Sequence, residues 1–194
     1  MSDAPTYIRS VAGETALRQG EVISALNLFQ VTSDNLAEGN SHKIIPISTP
    51  YAIAMTPDCD LDWDYKAQFG TEEEKKRHEA KLVFHILFCE ARDAQQAKSQ
   101  LKQGQWNQIS KNNHERYQYL EKAPPEIDAN GSGVPALIID FKRYFTIQNA
   151  DVYAQLSQTA KRHCFLGSPY LQHLVTRFYY FQYRVCLQRD HSIE

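Results

Sequence analysis

The chain has 194 residues, 42% of them hydrophobic and 23% charged, with a formal net charge of −2. That length suits one domain with a real core, and the near-neutral balance excludes a protein held to nucleic acid or membrane by bulk charge alone. No apolar run approaches the roughly 20 residues needed to cross a bilayer, and the start, MSDAPTYIRS, lacks the basic and apolar regions of a secretion signal.

Residues 1 to 17 read as a loose or edge-paired arm. Arg18-Gln-Gly-Glu21 is a turn signal, and Val22 to Val31 (VISALNLFQV) is the first long strand. Ser33 to Ser41 is loop, and the second strand runs from about Lys43 to Thr56. It leads into Asp58-Cys-Asp-Leu-Asp-Trp-Asp64, with a carboxylate at every second position. An extended chain alternates its side chains. Extended backbone here would gather Asp58, Asp60, Asp62 and Asp64 on one face and Cys59, Leu61 and Trp63 on the other.

Thr71 before Glu72-Glu-Glu74 marks a helix start, from about Glu72 to Ala80. Leu82 to Cys89 (LVFHILFC) is apolar on both faces and reads as a central strand, with one long helix as the alternative. Asp93 caps a helix, AQQAKSQLKQ, ended by Gly104. Glu115 to Glu121 and Ala136 to Ile147 are two more strands, separated by the loop Ala123 to Pro135. A short helix is expected over Ala150 to Arg162, and Ser168-Pro169 opens a C-terminal helix to about Leu187. The strands do not alternate regularly with helices as βαβ units require. The expected fold class is therefore α+β: a small curved sheet or SH3-like barrel of about five strands, with inserted helices and a long C-terminal helix.

Four scattered cysteines (Cys59, Cys89, Cys164, Cys186) form no C-x-x-C pair, so reduced thiols in a cytoplasmic protein are expected. The charge is uneven: Pro57 to Ala80 carries eight acids against four bases, while Phe141 to the end carries seven bases against three acids. These regions suit attraction within the fold, or faces of opposite sign toward partners.

The row Asp58, Asp60, Asp62 offers oxygen ligands suited to Mg²⁺ or Mn²⁺. An EF-hand is rejected, because its sixth and twelfth positions fall on Trp63 and Phe69. Zinc lacks a ligand pair. His85 and Cys89 lie about 13 Å apart along a strand and read as core residues. Cys59 sits among acids, a poor setting for a thiolate, and no G-x-S-x-G, Walker or G-x-G-x-x-G motif is present. On the C-terminal helix, an apolar stripe runs through Leu171, Leu174, Val175, Phe178, Phe181 and Val185. Beside it, Tyr170, His173, Arg177, Tyr180 and Arg184 interleave base and ring, a pattern that suits nucleic acid, an acidic protein partner or the chain's own acidic run. The alternative is a helix side packed on the sheet. Asp140 and Lys142 share a strand face and are a candidate ion pair, while Arg116 and Arg162 have no partner that the sequence assigns.

Three blocks carry a resemblance. Arg18-Gln-Gly-Glu-Val22 looks like R-G-[DE]-[IV], and Thr49-Pro-Tyr-Ala-Ile-Ala-Met-Thr56 is similar to R-P-x-x-V-x-S. Ala136 to Asp140 and the closing helix resemble a late strand and terminal helix of the same group. The group is the MazF/PemK-like SH3-like barrels, toxin ribonucleases of toxin–antitoxin pairs; relative to such a compact barrel, residues 58–121 would be an insertion. Where that group places an arginine that stabilises phosphoryl charge, this chain has Thr49, so the resemblance implies the barrel rather than RNA cleavage.

Two functions follow as expectations. The first is a non-catalytic cytoplasmic binding module with a protein or nucleic-acid partner and no membrane, in a defence or toxin–antitoxin setting suggested by fold analogy. The second is a metal-dependent phosphodiesterase or nuclease using Asp58, Asp60 and Asp62. Oligomeric state is left open.

Overall fold

The long apolar runs pair into one antiparallel sheet. The structure is a computed structural model that describes residues 6–10, 15–32 and 43–183. Its strands are β1 (Tyr7–Arg9), β2 (Glu21–Thr32), β3 (Lys43–Ala54), β4 (His85–Asp93), β5 (Tyr117–Leu120), β6 (Leu137–Gln148) and β7 (Lys161–Leu166). They lie in the order β1-β7-β2-β3-β4-β6-β5, every neighbouring pair antiparallel. The helices are α1 (Asp58–Phe69), α2 (Glu72–His78), α3 (Ala94–Lys98), α4 (Gln103–Ile109), α5 (Asn149–Gln158) and α6 (Tyr170–Gln182).

The fold is α+β, but the sheet is open where a barrel of about five strands was expected: β1 and β5 stand at opposite edges. The reason is in the burial. Ala52, Ala54, Ile86 and Phe88 on one face pack with Leu61 of α1 and Val152 of α5. Ile53, Cys89, Ile139 and Phe141 on the other pack with Leu174, Phe178 and Phe181 of α6. A sheet with helices on both faces has two buried sides and no need to curl around one of them.

The acidic run departs most from expectation. Asp58 to Asp64 is the start of a helix, not an extended strand end. Pro57 stands at the N-cap with extended backbone (φ −57°, ψ 145°), and Asp58 and Asp60 occupy the first turn, where negative charge suits the helix dipole. Of Cys59, Leu61 and Trp63, only Leu61 is buried. Asp64 is buried as well, three residues further along the same face.

Other boundaries moved for local reasons. Thr71 caps α2 with a full capping box to Glu74, and Asp93 caps α3 through the Gln95 and Gln96 amides, both as expected. The helix after Asp93 stops at Lys98, and Gly104 lies inside α4 instead of ending it. The helix expected over Ala150 to Arg162 ends at Gln158, after which β7 pairs with β1 and β2. The C-terminal helix is described as far as Gln182, and its expected extension to Leu187 lies outside the described residues.

Asp64 joins α1, the loop before β4 and α5. Its carboxylate accepts hydrogen bonds from Gln68 of α1 (2.7 Å), the Val83 amide (2.8 Å) and Asn149 at the start of α5 (2.9 Å). Burial raises its pKa, against the lowering effect of those bonds. Asp64→Ala leaves three inward donors without an acceptor, and the expected loss is about 2–4 kcal/mol by urea denaturation. Asp64→Asn, which keeps an acceptor, is expected to lose less.

Candidate functional site

The helix disperses the carboxylates. Two residues along a helix is about 200° of rotation, so neighbours in the D-x-D-x-D row point apart. Asp58 turns to the Arg18-Gln19 corner, accepting two bonds from the Arg18 guanidinium (both 3.1 Å) and one from the Gln19 amide (2.7 Å). The hydrogen bond to Asp58 holds the Arg18 guanidinium above its ordinary pKa. Asp62 pairs with Lys66 one turn on (2.7 Å), and the Cys59 thiol lies 3.7 Å from Asp60. Among the described residues, no group of three or more His, Cys, Asp or Glu could hold a metal ion. The shared acidic face that motivated Mg²⁺ or Mn²⁺ at Asp58, Asp60 and Asp62 is not formed.

The turn that receives Asp58 has one obligatory residue. Gly20 has φ +78°, and a Cβ there would lie 2.7 Å from Leu171 of α6. Its amide donates to the Ala54 carbonyl (2.7 Å), so the R-Q-G-E corner closes against the end of β3.

On α6 the expected row divides. Tyr170, His173 and Tyr180 face outward, Tyr180 at 76% exposure. Arg177 turns inward and donates to the carbonyls of Asn112 (2.5 Å), His114 (2.7 Å) and Tyr117 (2.9 Å), clamping the loop before β5. Burial lowers its pKa. Arg184 lies outside the described residues. Two outward rings were missed, Tyr179 and Tyr183, the latter 85% exposed; Tyr144 of β6 is exposed nearby, its ring 6.2 Å from Phe178. Spacing of three and four alone marks a helix face, not which of its sides meets water.

The unassigned charges have partners. Asp140 takes Arg116 in a two-bond pair (2.7 and 2.6 Å) instead of Lys142, whose amide, not its ammonium, donates to Asp140. Arg162 pairs with Glu21 (2.6 and 2.9 Å). Cys89 is a core residue whose thiol burial pushes up to about 12, whereas His85 is exposed. Arg92, Arg116 and Arg143 line a cavity of about 260 Å³, but Glu90 pairs with the first and last of them and Asp140 with the second.

The structure also assembles a group that no local spacing announces. His163 Nε2 lies 2.8 Å from Ser24 Oγ, and His163 Nδ1 lies 2.9 Å from Asp128 Oδ1. Asp128 comes from the Asp-Ala-Asn-Gly-Ser loop, where the Asn130 amide (3.0 Å), the Ser132 amide (3.1 Å) and the Ser132 hydroxyl (2.9 Å) donate to it. Burial opposes its charge, yet the Asn130 amide, the Ser132 hydroxyl and the His163 ring outweigh that and bring the carboxyl down to about 2. A carboxylate so held is an acceptor only, so Nδ1 carries a proton toward it; with the ring neutral, Nε2 is then the nitrogen that accepts from the Ser24 hydroxyl.

Two backbone irregularities make the meeting possible. Between the pairs Glu21↔Phe165 and Ile23↔Arg162, β7 has one more residue than β2. That bulge turns His163 to the side on which Cys164 is buried with Val22. Ala25, directly after the serine, has φ 57° opposite Pro50, where the β2–β3 ladder skips a pair. Ser24 is 104 residues from Asp128 and 139 from His163, and the only sequence signal was a hydroxyl inside an apolar strand and a turn-rich acid loop.

Compared with known proteins, the chain matches no family model, no curated protein and no solved structure.

Proposed function

We propose that this chain is a binding module that engages a partner protein through the outward face of α6. The observation that carries this reading is the group of exposed rings on one side of the C-terminal end of α6, Tyr179, Tyr180 and, at its C-cap, Tyr183. Each combines apolar area with a hydroxyl, the chemistry enriched at protein interfaces. The helix contains no acid and, beside His173, a single Lys or Arg, Arg177, which is bound to carbonyls of its own chain. A nucleic-acid surface needs free cations to neutralise phosphates, so the same face is poorly suited to that partner. A bilayer-spanning role has no support either, since no helix among the described residues is long and apolar enough to cross a membrane.

A photo-crosslinking phenylalanine at position 180 tests this in lysate of the native host. The expected result is one dominant cross-linked protein, reduced at least tenfold by the pair Tyr179→Ser and Tyr183→Ser. Those exposed substitutions should change stability by no more than about 0.5 kcal/mol. Equal cross-linking from exposed Glu73 on α2, or capture of nucleic acid instead, would overturn the reading.

A further inference from the structure

We propose that Ser24, His163 and Asp128 form a nucleophilic site that hydrolyses small uncharged carboxylic esters through an acyl-serine intermediate. The inference goes beyond partner binding and does not rest on it. It stands on the connected distances of 2.8 Å from Ser24 Oγ to His163 Nε2 and 2.9 Å from His163 Nδ1 to Asp128. It stands also on an arrangement in depth. Ser24 is half-buried, whereas His163 and Asp128 are buried, which places the nucleophile toward solvent and the base and its orienting acid behind it. A serine, a base and a third group that orients the base are the parts from which acyl transfer is built on unrelated folds.

Each group has one role. Asp128, held by the Asn130 amide and by Ser132, keeps the proton on Nδ1 and orients the ring. His163 takes the Ser24 proton on Nε2 as Oγ bonds to the ester carbonyl carbon. When the tetrahedral adduct collapses, the carbon–alkoxide bond breaks and that proton goes to the departing alcohol. A water then attacks the acyl-serine, giving its proton to Nε2. Ser24 leaves with that proton, and the acyl group departs as a carboxylic acid. No oxidant or cofactor is needed. The ester is uncharged because the buried neighbours on this side of the sheet, Val22, Ile53 and Cys164, are apolar, and a small one is the simplest that the half-buried Ser24 can meet. The left-handed Ala25 and the β7 bulge lie beside the serine, where strained backbone commonly positions a reacting group.

The test uses the whole chain with a fluorophosphonate probe and with p-nitrophenyl acetate. The expected result is a single phosphonyl adduct on the peptide bearing Ser24, and p-nitrophenol release above background. Ser24→Ala, which removes one half-buried hydroxyl, should abolish both while circular dichroism and melting stay those of the parent. Asp128→Asn should slow acylation by about 100-fold or more, as expected when the base loses its orienting carboxylate. Because that variant also weakens the loop, the wild-type adduct is the deciding measurement. A folded parent chain that stays unlabelled, is labelled elsewhere, or hydrolyses the ester no faster than Ser24→Ala would reduce the three residues to a structural hydrogen-bond chain. Variants of the α6 tyrosines should label normally, which separates this outcome from that of the binding reading.

Discussion

Arg162→Ala is expected to cost about 3–5 kcal/mol, the range for removing one partner of a buried ion pair. The Glu21 side chain is 0% exposed and that of Arg162 12% exposed, and the two meet through paired bonds of 2.6 and 2.9 Å. The guanidinium reaches further, donating to the carbonyls of Thr15 (2.8 Å) and Ala16 (2.9 Å). On the acid side, the Ser10 hydroxyl (2.7 Å) and the Arg18 amide (2.8 Å) donate to Glu21. The pair therefore fastens the N-terminal segment to the β2–β7 pair of strands. Its loss leaves a buried carboxylate without its cation, which costs more than the bonds themselves. A chain of this size should melt about 6–20 °C lower in a calorimetric scan. The double variant Arg162→Met with Glu21→Leu removes the stranded charge, so it should recover part of the loss. A drop below about 1 kcal/mol for Arg162→Ala would mean that water reaches the pair.

Phe141→Ala is expected to destabilise by a similar amount, about 3–5 kcal/mol, from lost burial plus the cavity left behind. Phe141 is fully buried in β6, with its ring 5.8 Å from Phe178 and 5.9 Å from Phe181 of α6. Its backbone carbonyl also accepts from Gln182 (3.1 Å) at the end of that helix. The ring is thus the main seat of α6 on the sheet. Phe141→Leu, which keeps most of the volume, should lose less than half as much. Hydrogen exchange gives a sharper readout: α6 amides should lose protection in Phe141→Ala before the amides of β2 and β3 do. Uniform loss across the sheet and helix would show that α6 and the sheet open as one unit.

The five long or apolar strands were legible in the residues. Val22 to Val31 and Ala136 to Ile147 appear within a residue or two of their expected ends, as β2 and β6. Their β-branched and aromatic residues suit a pleated, partly buried strand, a signal carried within each run itself. The caps at Thr71 and Asp93 were legible for the same reason, since a capping side chain acts on amides two or three positions away. Residues 58 to 64 misled because D-x-D-x-D alternates like a strand, while the features that favour a helix there are weaker: Pro57 ahead of it and acids in its first turn. β7 was hidden because Lys161 to Leu166 has no turn signal before it beyond Thr159-Ala160, and its pairing partners lie near the other end of the chain.

What the residues determined by themselves was the local inventory: strands where β-formers run together, helix starts where a hydroxyl or carboxylate can cap, and a C-terminal helix with an apolar stripe. The tertiary structure alone decided that the sheet stays open, that Arg177 turns inward while the tyrosines face out, and that Ser24, Asp128 and His163 meet. Local propensity depends on neighbours within a turn or so of chain, whereas those outcomes depend on which faces are buried against distant segments. Contacts across a hundred residues leave no periodic trace for a sequence to show.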